Sequence, residues 1–505
     1  MVPARRATPT KPSSAQFFLR DYDSTLFPLS INRLLVEKHA AGIFEFIQKE
    51  DLTGTGSFLQ QDRVFASKRG WFLRPTVKLD PVAEFYLYDF VYRNRALFRK
   101  TVKPNRKTFG FFIDNGEADP ILKSYSSFKK AVAAGRSKYK HYIYFDVASY
   151  FNHIYHHDLV EWVEKAGAGP GDVNALGKFL REIKGGDSFD CLPQGIYPAK
   201  MIGSAFLSFL EESSRIHASK TIRLMDDVWL FDNDPDILIS DFLAVQSLLS
   251  KRGLNINEEK SKVLVGHDIE SEVPADIDEM KIRLLQRRRE EFQHGWVYFD
   301  EGDEEEDENL ESLSEEEVEY LISLLRSGNL QEEDAELVLS VMRDAKSDIN
   351  DYLPALIKDF PGLTKRLYYF CVTYRDKAAI VDAIFAHIKS GSKLTEFQLF
   401  WLAKITEDLL LGITTKAGDL LISLYEHEAA TTISKAKILE VAEMRFGMPD
   451  LREEQLRSGQ SGWLAWASAV GTRKNPKAQR NHLLKYFRKS SPMNRLIGEF
   501  VEQAY

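Results

Sequence analysis

Three aspartates stand at the predicted ends of strands. Asp146 closes the apolar segment "HYIYFDV", and the pair Asp226 and Asp227 separates "TIRLM" from "VWLF", a pattern that predicts a strand, a turn and a second strand. Carboxylates gathered there would repel one another unless cations lay among them, and Mg²⁺ prefers oxygen ligands. Two Mg²⁺ ions can promote an in-line phosphoryl displacement. Because Asp-Asp pairs also occur in ordinary turns, the pair alone does not establish this chemistry.

The elements that must position these aspartates mix strands and helices. "SYFNHIYHHDLVEWVEK" has helical spacing after the first strand, "GGDSFDCLPQGIYPAKM" indicates a loop, and "IGSAFLSFLEESSRI" predicts an apolar helix before the hairpin. After the hairpin, "SDFLAVQSLLSKRGLNINEEKSKV" predicts a helix that ends at a glycine. His153, His156 and His157 are interpreted as packing or capping residues and not as metal ligands.

Four segments, in this order, resemble the motifs of reverse transcriptases. "YFDVASYFNHI" is similar to the first catalytic motif, "CLPQGIYPAKMIGSAFLSFL" to the Gln-Gly motif, "IRLMDDVWLF" to the two-aspartate hairpin, and "LLSKRGLNINEEKSKV" to the segment after it. The resemblance covers roughly residues 80–265. It implies a right-hand polymerase fold with palm and fingers, and DNA synthesis with two Mg²⁺ ions or Mn²⁺ in their place.

The functional positions of that family have counterparts in this chain. The resemblance implies that Asp146 and Asp226 hold the metal ions, that Asp227 supports them, and that the backbone carbonyl of Val147 completes a metal shell. It implies that Phe151 is the aromatic gate that excludes a ribose 2′-hydroxyl, which predicts dNTP substrates. The other predicted nucleotide-binding residues are Gln194 and Gly195 beside the nucleotide, Lys260 as proton donor to pyrophosphate, and Lys103, Arg106 and Lys107 at the triphosphate.

Two positions depart from the family pattern. Leu224 stands two residues before the aspartate pair, where an aromatic residue is usual, and this puts ordinary primer extension in doubt. The Gln-Gly motif lacks the Ser-Pro that commonly follows it, which puts conventional template gripping in doubt. Neither departure affects the predicted metal ligands.

Further features resemble the bacterial antiphage reverse transcriptases of the abortive-infection and defence-associated groups, in particular the AbiK/AbiA-like group. They are "KLDPVAEFYLYDFVYRNR", the lengthened "QGIYPAKMIGSAF" and a helical C-terminal half. The resemblance implies an α+β palm and fingers followed by an all-α helical-repeat domain, a HEAT-like solenoid. It implies protein-primed DNA synthesis, either template-independent or copying a small noncoding RNA into repetitive or homopolymeric DNA, by a homo-oligomer such as a trimer or hexamer.

Candidates for priming and for nucleic-acid binding lie near the chain ends. A tyrosine hydroxyl, with an ordinary pKa of about 10, becomes a feasible primer beside Mg²⁺. The candidates are Tyr505, the last residue, and Tyr22, just past a predicted N-terminal arm. The tract 462–490 mixes aromatic and basic residues, as surfaces for single-stranded DNA or RNA do. Its basic candidates are Arg473, Lys474, Lys477, Arg480 and Lys485.

Composition predicts a cytoplasmic protein of more than one domain. The chain has 505 residues, 44% of them hydrophobic, a net charge of −8 and two cysteines, so we expect no disulfide framework, no zinc finger and no membrane span. The predicted domains are a flexible arm at 1–16, palm and fingers at 17–298, an acidic linker at 299–319 and a helical-repeat domain at 320–505.

Two other functions remain open on the sequence. A degenerate palm could serve as a scaffold for a protein-binding helical domain, although the complete set of aspartates and Phe151 argue against it. An intron-encoded maturase would carry a basic RNA-binding thumb and often a C-terminal nuclease with metal-ligand spacing, and the sequence shows neither.

Overall fold

A computed structural model describes residues 13–100, 102–114, 116–119, 121–184, 190–266, 280–281, 284, 313–327, 330–342, 349–442 and 448–505. The chain separates into two compact units, and neither is one stretch of sequence. The first comprises Met1–Leu26, Ile47–Gln61 and Leu79–Glu270, and the second comprises Phe27–Phe46, Asp62–Lys78 and Ser271–Tyr505.

Both helices and strands occur between residues 14 and 266. The strands are β1 (Asp62–Ser67), β2 (Leu73–Lys78), β3 (Val102–Lys103), β4 (Arg106–Phe109), β5 (Ile113–Asp114), β6 (Glu117–Ala118), β7 (His141–Phe145), β8 (Lys220–Leu224), β9 (Asp227–Asp232) and β10 (Lys262–Gly266). The helices are α1 (Ser14–Tyr22), α2 (Ser30–Lys49), α3 (Pro81–Arg93), α4 (Ile121–Lys138), α5 (His156–Lys165), α6 (Pro170–Ile183), α7 (Tyr197–Phe206), α8 (Phe209–Glu212) and α9 (Pro235–Ser250).

A six-stranded sheet in the first unit positions the predicted catalytic aspartates. Its strand order is β10-β7-β9-β8-β4-β3, and neighbouring strands are antiparallel except for the parallel pair β4 and β8. Alternate residues of β7, Ile143 and Phe145, are fully buried, as expected for a strand with one covered face. Phe242 of α9 packs on Phe145, and Phe128 of α4 belongs to the same buried hydrophobic cluster as Ile222 of β8. The strands predicted around the three aspartates are therefore present.

The second unit consists mainly of helices. From residue 313 onward they are α10 (Glu315–Arg326), α11 (Glu332–Val341), α12 (Leu353–Asp359), α13 (Thr364–Thr373), α14 (Lys377–Lys389), α15 (Glu396–Ile405), α16 (Lys416–Tyr425), α17 (Thr432–Leu439), α18 (Pro449–Arg457), α19 (Trp463–Gly471), α20 (Lys477–Phe487) and α21 (Pro492–Ala504). Several helices contact the next helix but one along the chain. The contacting pairs are α11 with α13, α12 with α14, α13 with α15, and α15 with α17. Stacked helical pairs produce such a pattern, and the HEAT-like solenoid stays a prediction.

Two N-terminal segments belong to the second unit, although the predicted boundaries place them with the palm and fingers. The backbone N–H groups of Ser30 and Ile31, at the start of α2, donate to the Glu440 carboxylate at 2.8 and 3.1 Å. In the same way, the backbone N–H of Phe65 in β1 donates to Glu396 at 3.0 Å. These contacts join residues up to 410 positions apart, which local sequence patterns do not predict.

Two other predicted boundaries fall inside helices. The helix α1 begins at Ser14, within the predicted arm, and α10 begins at Glu315, within the predicted acidic linker. The side chains of Ser13 and Ser314 accept from backbone N–H groups and cap these helices. The remaining parts of the two predicted segments, residues 1–12 and 299–312, lie outside the described residues.

Two further observations concern the cysteines and the helix lengths. Both Cys191 and Cys371 are free and buried, so they do not form a disulfide. Within the described part of the chain, no helix combines the length and the apolar character needed to cross a membrane.

A buried ion cluster connects α17 to its neighbours in the second unit. Lys437 Nζ lies 2.7 Å from Glu440 Oε1 and 2.5 Å from Glu407 Oε2, and the Lys437 side chain is fully buried. Burial lowers the pKa of Lys437, but the carboxylates of Glu407 and Glu440 outweigh this effect and raise it overall. The lysine therefore stays charged and neutralises two acids that lie away from water.

Replacing Lys437 by methionine is expected to reduce the free energy of unfolding of the second unit by about 3–5 kcal/mol, because two buried carboxylates lose their cation. Denaturant unfolding measures this loss. Lys393→Met is the matched control, since Lys393 pairs with Glu428 at 2.6 Å on an exposed surface and should affect stability little. Equal losses in the two variants would contradict the prediction.

Candidate active site

The three predicted aspartates lie at one end of the central strands. Leu224 pairs with Asp227 across the hairpin, so the two turn residues are Met225 and Asp226, and Asp227 begins β9. The tip of the hairpin is thus one residue earlier than the sequence predicts. Because β7 pairs with β9 up to the last residue of β7, the next residue, Asp146, lies beside the start of β9.

The electrostatics of this site favour a bound cation. Burial raises the pKa of Asp226 to about 7, and the charges of Asp146 and Asp227 add to the effect. Burial also raises the pKa of Asp227, against a hydrogen bond from Tyr144 that lowers it. Such shifts mean that the ionised carboxylates have too little positive charge around them. A divalent ion held by Asp146 and Asp226 would supply that charge, so the residues fit the predicted metal site.

Tyr144 holds Asp227 and is a site residue that the sequence analysis missed. Its Oη donates to Asp227 Oδ1 at 2.8 Å, and its ring packs on Trp229 with centroids 4.7 Å apart. Tyr144 precedes Asp146 by two residues in a strand, so both side chains belong to the same face of the sheet. Alternate residues of a strand share one face, and this spacing between Tyr144 and Asp146 is the signal that could have identified Tyr144. A carboxylate held by a tyrosine agrees with a supporting role for Asp227.

Asp146 contacts the segment that follows α9. Its backbone carbonyl accepts from the N–H of Asn257 at 2.8 Å, and Lys260 Nζ lies 3.5 Å from its Oδ2. The adjacent Val147 is buried and forms an isolated β-bridge with Ile256. Lys260, the predicted proton donor, therefore lies beside a predicted metal ligand, and its side chain is 66% exposed.

A surface group on α5 also has metal-ligating side chains. The ligand atoms of His157, Asp158 and Glu161 lie within 4.8 Å of one another, as in no other group of three among the described residues. Glu161 already pairs with Lys165, and two of the three side chains are exposed. The three aspartates do not form such a group, and Asp227 is bound to Tyr144. Magnesium sites commonly use one or two carboxylates together with substrate phosphates, as Asp146 and Asp226 could.

Metal binding at the aspartates is expected to weaken below neutral pH. The ion must displace the proton of Asp226, whose pKa is about 7, so the apparent affinity at pH 6 should be about tenfold lower than at pH 8. Titration with Mn²⁺ followed by electron paramagnetic resonance measures this without nucleotide. Asp226→Asn should bind weakly at both pH values, and equal affinities of the wild type at both would contradict the prediction.

Phe151 packs against α7 where that helix has a glycine. A Cβ at Gly203 would lie 3.2 Å from Phe151 Cε1, so the glycine makes room for the ring. Tyr150 Oη donates to the Gly203 carbonyl at 2.7 Å, and the backbone N–H of Leu192 donates to the Phe151 carbonyl at 2.9 Å. These contacts join the predicted sugar gate to the loop that carries Gln194.

The predicted pair Gln194 and Gly195 lies close to this gate. Gln194 Nε2 is 3.4 Å from Oδ1 of Asn152, the residue after Phe151. Gly195 has a φ of +96°, and a Cβ there would lie 2.4 Å from the Leu26 side chain, so both the backbone angle and the available space require glycine. The N-terminal segment of the first unit therefore packs against the predicted nucleotide-binding loop.

The loop before α7 is anchored at both ends by residues that the motif does not reveal. At its end, Asp21 of α1 accepts from the backbone N–H of Tyr197 at 2.8 Å. At its start, Asp190 accepts from the backbone N–H of His156 at 2.9 Å, and His156 Nε2 lies 2.8 Å from the Cys191 carbonyl. Burial lowers the pKa of His156, which agrees with a structural histidine.

The strand register gives the positions of the predicted triphosphate residues along the sheet. Arg106 pairs with Thr221, about 10 Å along β4 from the residue that pairs with Leu224 beside the catalytic turn. Lys103 and Lys107 lie at the same end of the sheet as Arg106, away from the aspartates. Their role at the triphosphate stays a prediction, and the sequence did not reveal that β4 runs parallel to β8.

A basic pocket lies elsewhere in the first unit. It has a volume of about 870 Å³ between the end of α3 and the hairpin of β5 and β6, and Asp114 also contributes to its wall. Arg93 pairs with Asp89 and Asp172, Lys100 pairs with Asp119, and Arg95 and Arg99 are exposed. Its basic and aromatic lining residues include Tyr92, Arg93, Arg95, Phe98, Arg99 and Lys100. The basic stretch of the sequence thus forms a concave surface suited to an anion with an aromatic ring.

The predicted C-terminal nucleic-acid surface is smaller than its sequence indicates. Arg480 is buried, and Arg473 donates to the backbone carbonyls of Glu440 and Val470, so these two arginines stabilise the helices. Trp463 and Trp466 are also buried and cannot stack on bases. The basic candidates that remain exposed are Lys474, Lys477 and Lys485.

The two priming candidates differ in exposure. Tyr22 is 1% exposed and stacks on Phe18 with centroids 4.8 Å apart, so its hydroxyl is not accessible in this conformation. Tyr505 is 37% exposed and ends the chain after α21, with Lys38 Nζ 4.2 Å from its ring centroid. Accessibility therefore favours Tyr505.

Comparison with known proteins gives a family match that covers part of the chain. A search of curated proteins found no match to the chain. A family model described as reverse transcriptase (RNA-dependent DNA polymerase) matches residues 103–322, which include β7, the loop before α7 and the aspartate hairpin. The chain therefore carries a reverse transcriptase domain at residues 103–322, and such a domain supports nucleotide polymerase function.

Proposed function

We propose that this protein is a DNA polymerase that adds dNTPs by two-metal phosphoryl transfer. The observation that carries the proposal is the position of Asp226 at the hairpin turn, where its carboxyl is partly buried and interacts with the charges of Asp146 and Asp227. A reverse transcriptase domain surrounds this site in sequence. Structural carboxylates are seldom left in such an arrangement, because its electrostatic cost is large without a cation.

Each residue would have a distinct task in the reaction. Asp146, Asp226 and the Val147 carbonyl would hold the ions, and Asp227, bound to Tyr144, would keep the hairpin in place. Bound Mg²⁺, or Mn²⁺ in its place, would activate the attacking hydroxyl and stabilise the leaving oxygen. Lys260, 3.5 Å from Asp146, would hold the proton that pyrophosphate takes up as it leaves.

The nucleotide would be selected by the gate beside the aspartates. Phe151, fixed against Gly203, would exclude a ribose 2′-hydroxyl, and Gln194 with Gly195 would contact the nucleotide. The basic pocket next to α3 offers Arg95 and Arg99 for phosphate groups. It is a second candidate for phosphate binding beside Lys103, Arg106 and Lys107.

The biological role proposed is antiphage defence in the cytoplasm. The support is the resemblance of the sequence to abortive-infection reverse transcriptases, together with the contacts between alternate helices in the second unit. We propose priming by Tyr505, a covalently attached single-stranded product of repetitive or homopolymeric sequence, synthesis either without a template or on a small noncoding RNA, and a trimeric or hexameric assembly.

Purified protein, labelled dNTPs and Mg²⁺ provide the test. We expect labelled product with the wild type, supplied with or without candidate RNAs, and none with Asp226→Asn. Mass spectrometry of the intact protein should show nucleotide on Tyr505, and Tyr505→Phe should remove it. Absence of product from the wild type under all these conditions would reject the polymerase proposal and favour a scaffold role for the domain.

A further inference from the structure

Arg223 is buried next to the hairpin turn, and all three nitrogens of its guanidinium group donate hydrogen bonds. Its Nε and Nη2 donate to the two carboxylate oxygens of Glu211 at 2.6 and 3.0 Å. Its Nη1 donates to the backbone carbonyls of Ser204 and Met225, each at 2.9 Å. The side chains of Arg223 and Glu211 are 2% and 0% exposed. A single buried guanidinium thus joins α7, α8 and the hairpin turn.

The turn needs such support because its backbone is strained. Met225 has a φ of +57°, in the left-handed region that side chains other than glycine seldom adopt. Its carbonyl, which Arg223 binds, belongs to the peptide that leads directly to Asp226. Strained residues persist where the surroundings fix them, and here the fixing group is the arginine.

We propose that Arg223 and Glu211 are positioning residues that hold Asp226 in its metal-binding geometry. They do not touch substrate, and their effect passes through the Met225 carbonyl. The inference rests on the proposed metal-dependent function of Asp146 and Asp226. Residues behind metal ligands commonly change metal affinity or activity by about 10- to 100-fold when replaced.

The chemistry of arginine suits this task. A guanidinium has several donors in a fixed plane, so it can bind a carboxylate through two N–H groups while a third nitrogen reaches two carbonyls. Lysine has one ammonium group and cannot make the same set. Glu211 neutralises the charge, because a lone guanidinium at this depth would be costly.

The test measures Mn²⁺ binding by electron paramagnetic resonance in the full chain without nucleotide. For Arg223→Lys we expect affinity to fall about 10- to 100-fold. Should that variant fail to fold, the double variant Arg223→Met with Glu211→Leu replaces the ion pair by apolar side chains of similar volume, an exchange that often preserves stability. It still lacks the donor to Met225 and should show the same loss of affinity.

Lys437→Met is the control for stability alone, since it breaks a buried ion pair in the other unit. It should lower the unfolding temperature and leave Mn²⁺ affinity unchanged. Wild-type affinity in a folded double variant, or no Mn²⁺ binding by the wild type, would overturn the inference. If the wild type binds Mn²⁺ and the variants lose it, but no nucleotide is incorporated, the positioning role stands and the proposed polymerase function fails.

Discussion

Replacing Asp226 by asparagine is expected to reduce nucleotide incorporation by at least about 10³-fold. Asparagine keeps the size of the side chain but removes the charge that would hold the proposed divalent ion, and such an ion contributes several kcal/mol of transition-state stabilisation. Single-turnover incorporation of a labelled dNTP measures the loss. Asp236→Asn, at an exposed aspartate of α9 in the same unit, is the matched control and should retain full activity.

The same variant should be more stable than the wild type without metal. The pKa of Asp226 rises from 3.8 to about 7 in the folded protein, so the folded state holds the proton more tightly than the unfolded state. Stability therefore falls as the pH rises from about 4 to 7, by at most about 4 kcal/mol. Asparagine removes this cost, and the unfolding temperature should increase at pH 8 and change less at pH 5. If the variant were less stable than the wild type at pH 8, the ionised Asp226 would not destabilise the folded protein, and the prediction would be wrong.

Replacing Phe151 by alanine is expected to increase ribonucleotide use relative to dNTP use by roughly 10- to 100-fold. A ring held against Gly203 cannot move away from a 2′-hydroxyl, and clashes of this kind cost about 1–3 kcal/mol. The ratio of kcat/KM for a ribonucleotide to that for the matching dNTP measures the change.

Tyr150→Phe distinguishes sugar selection from general damage to the site. It removes the hydrogen bond from Tyr150 to the Gly203 carbonyl and leaves both rings in place. We expect lower efficiency with both sugars and an unchanged ratio. A Phe151→Ala enzyme that polymerises and still rejects ribonucleotides would exclude Phe151 as the gate.

The local elements around the site could be predicted from the sequence. The strand before Asp146 and the hairpin with Asp226 and Asp227 have strong apolar and β-branched patterns, and the structure contains both. The glycine at position 195 could also be predicted from the sequence, because it belongs to the Gln-Gly motif. Such features depend on neighbours in sequence, where composition and spacing carry the information.

The contacts that hold the site could not be predicted in this way. Glu211 binds Arg223, and Asp21 binds the start of α7, through the fold and not through sequence spacing. The burial of Tyr22 and of Arg480 likewise depends on which helices pack over them. The sequence therefore predicted some basic residues as nucleic-acid ligands although they stabilise the interior. The parallel pairing of β4 with β8 could not be predicted from the sequence either.

The alternation of the two units along the chain limits how the protein can fold on the ribosome. The first unit is synthesised by about residue 270, whereas the start of α2 must wait for Glu440, 410 positions later. At about 5–20 residues per second this interval is roughly 20–80 s. During that time β1 and β2 can pair with each other, but the start of α2 lacks the Glu440 carboxylate, and β1 lacks Glu396 until α15 is made. Premature termination before α15 would therefore leave a nascent chain with exposed strand edges, and such edges promote aggregation.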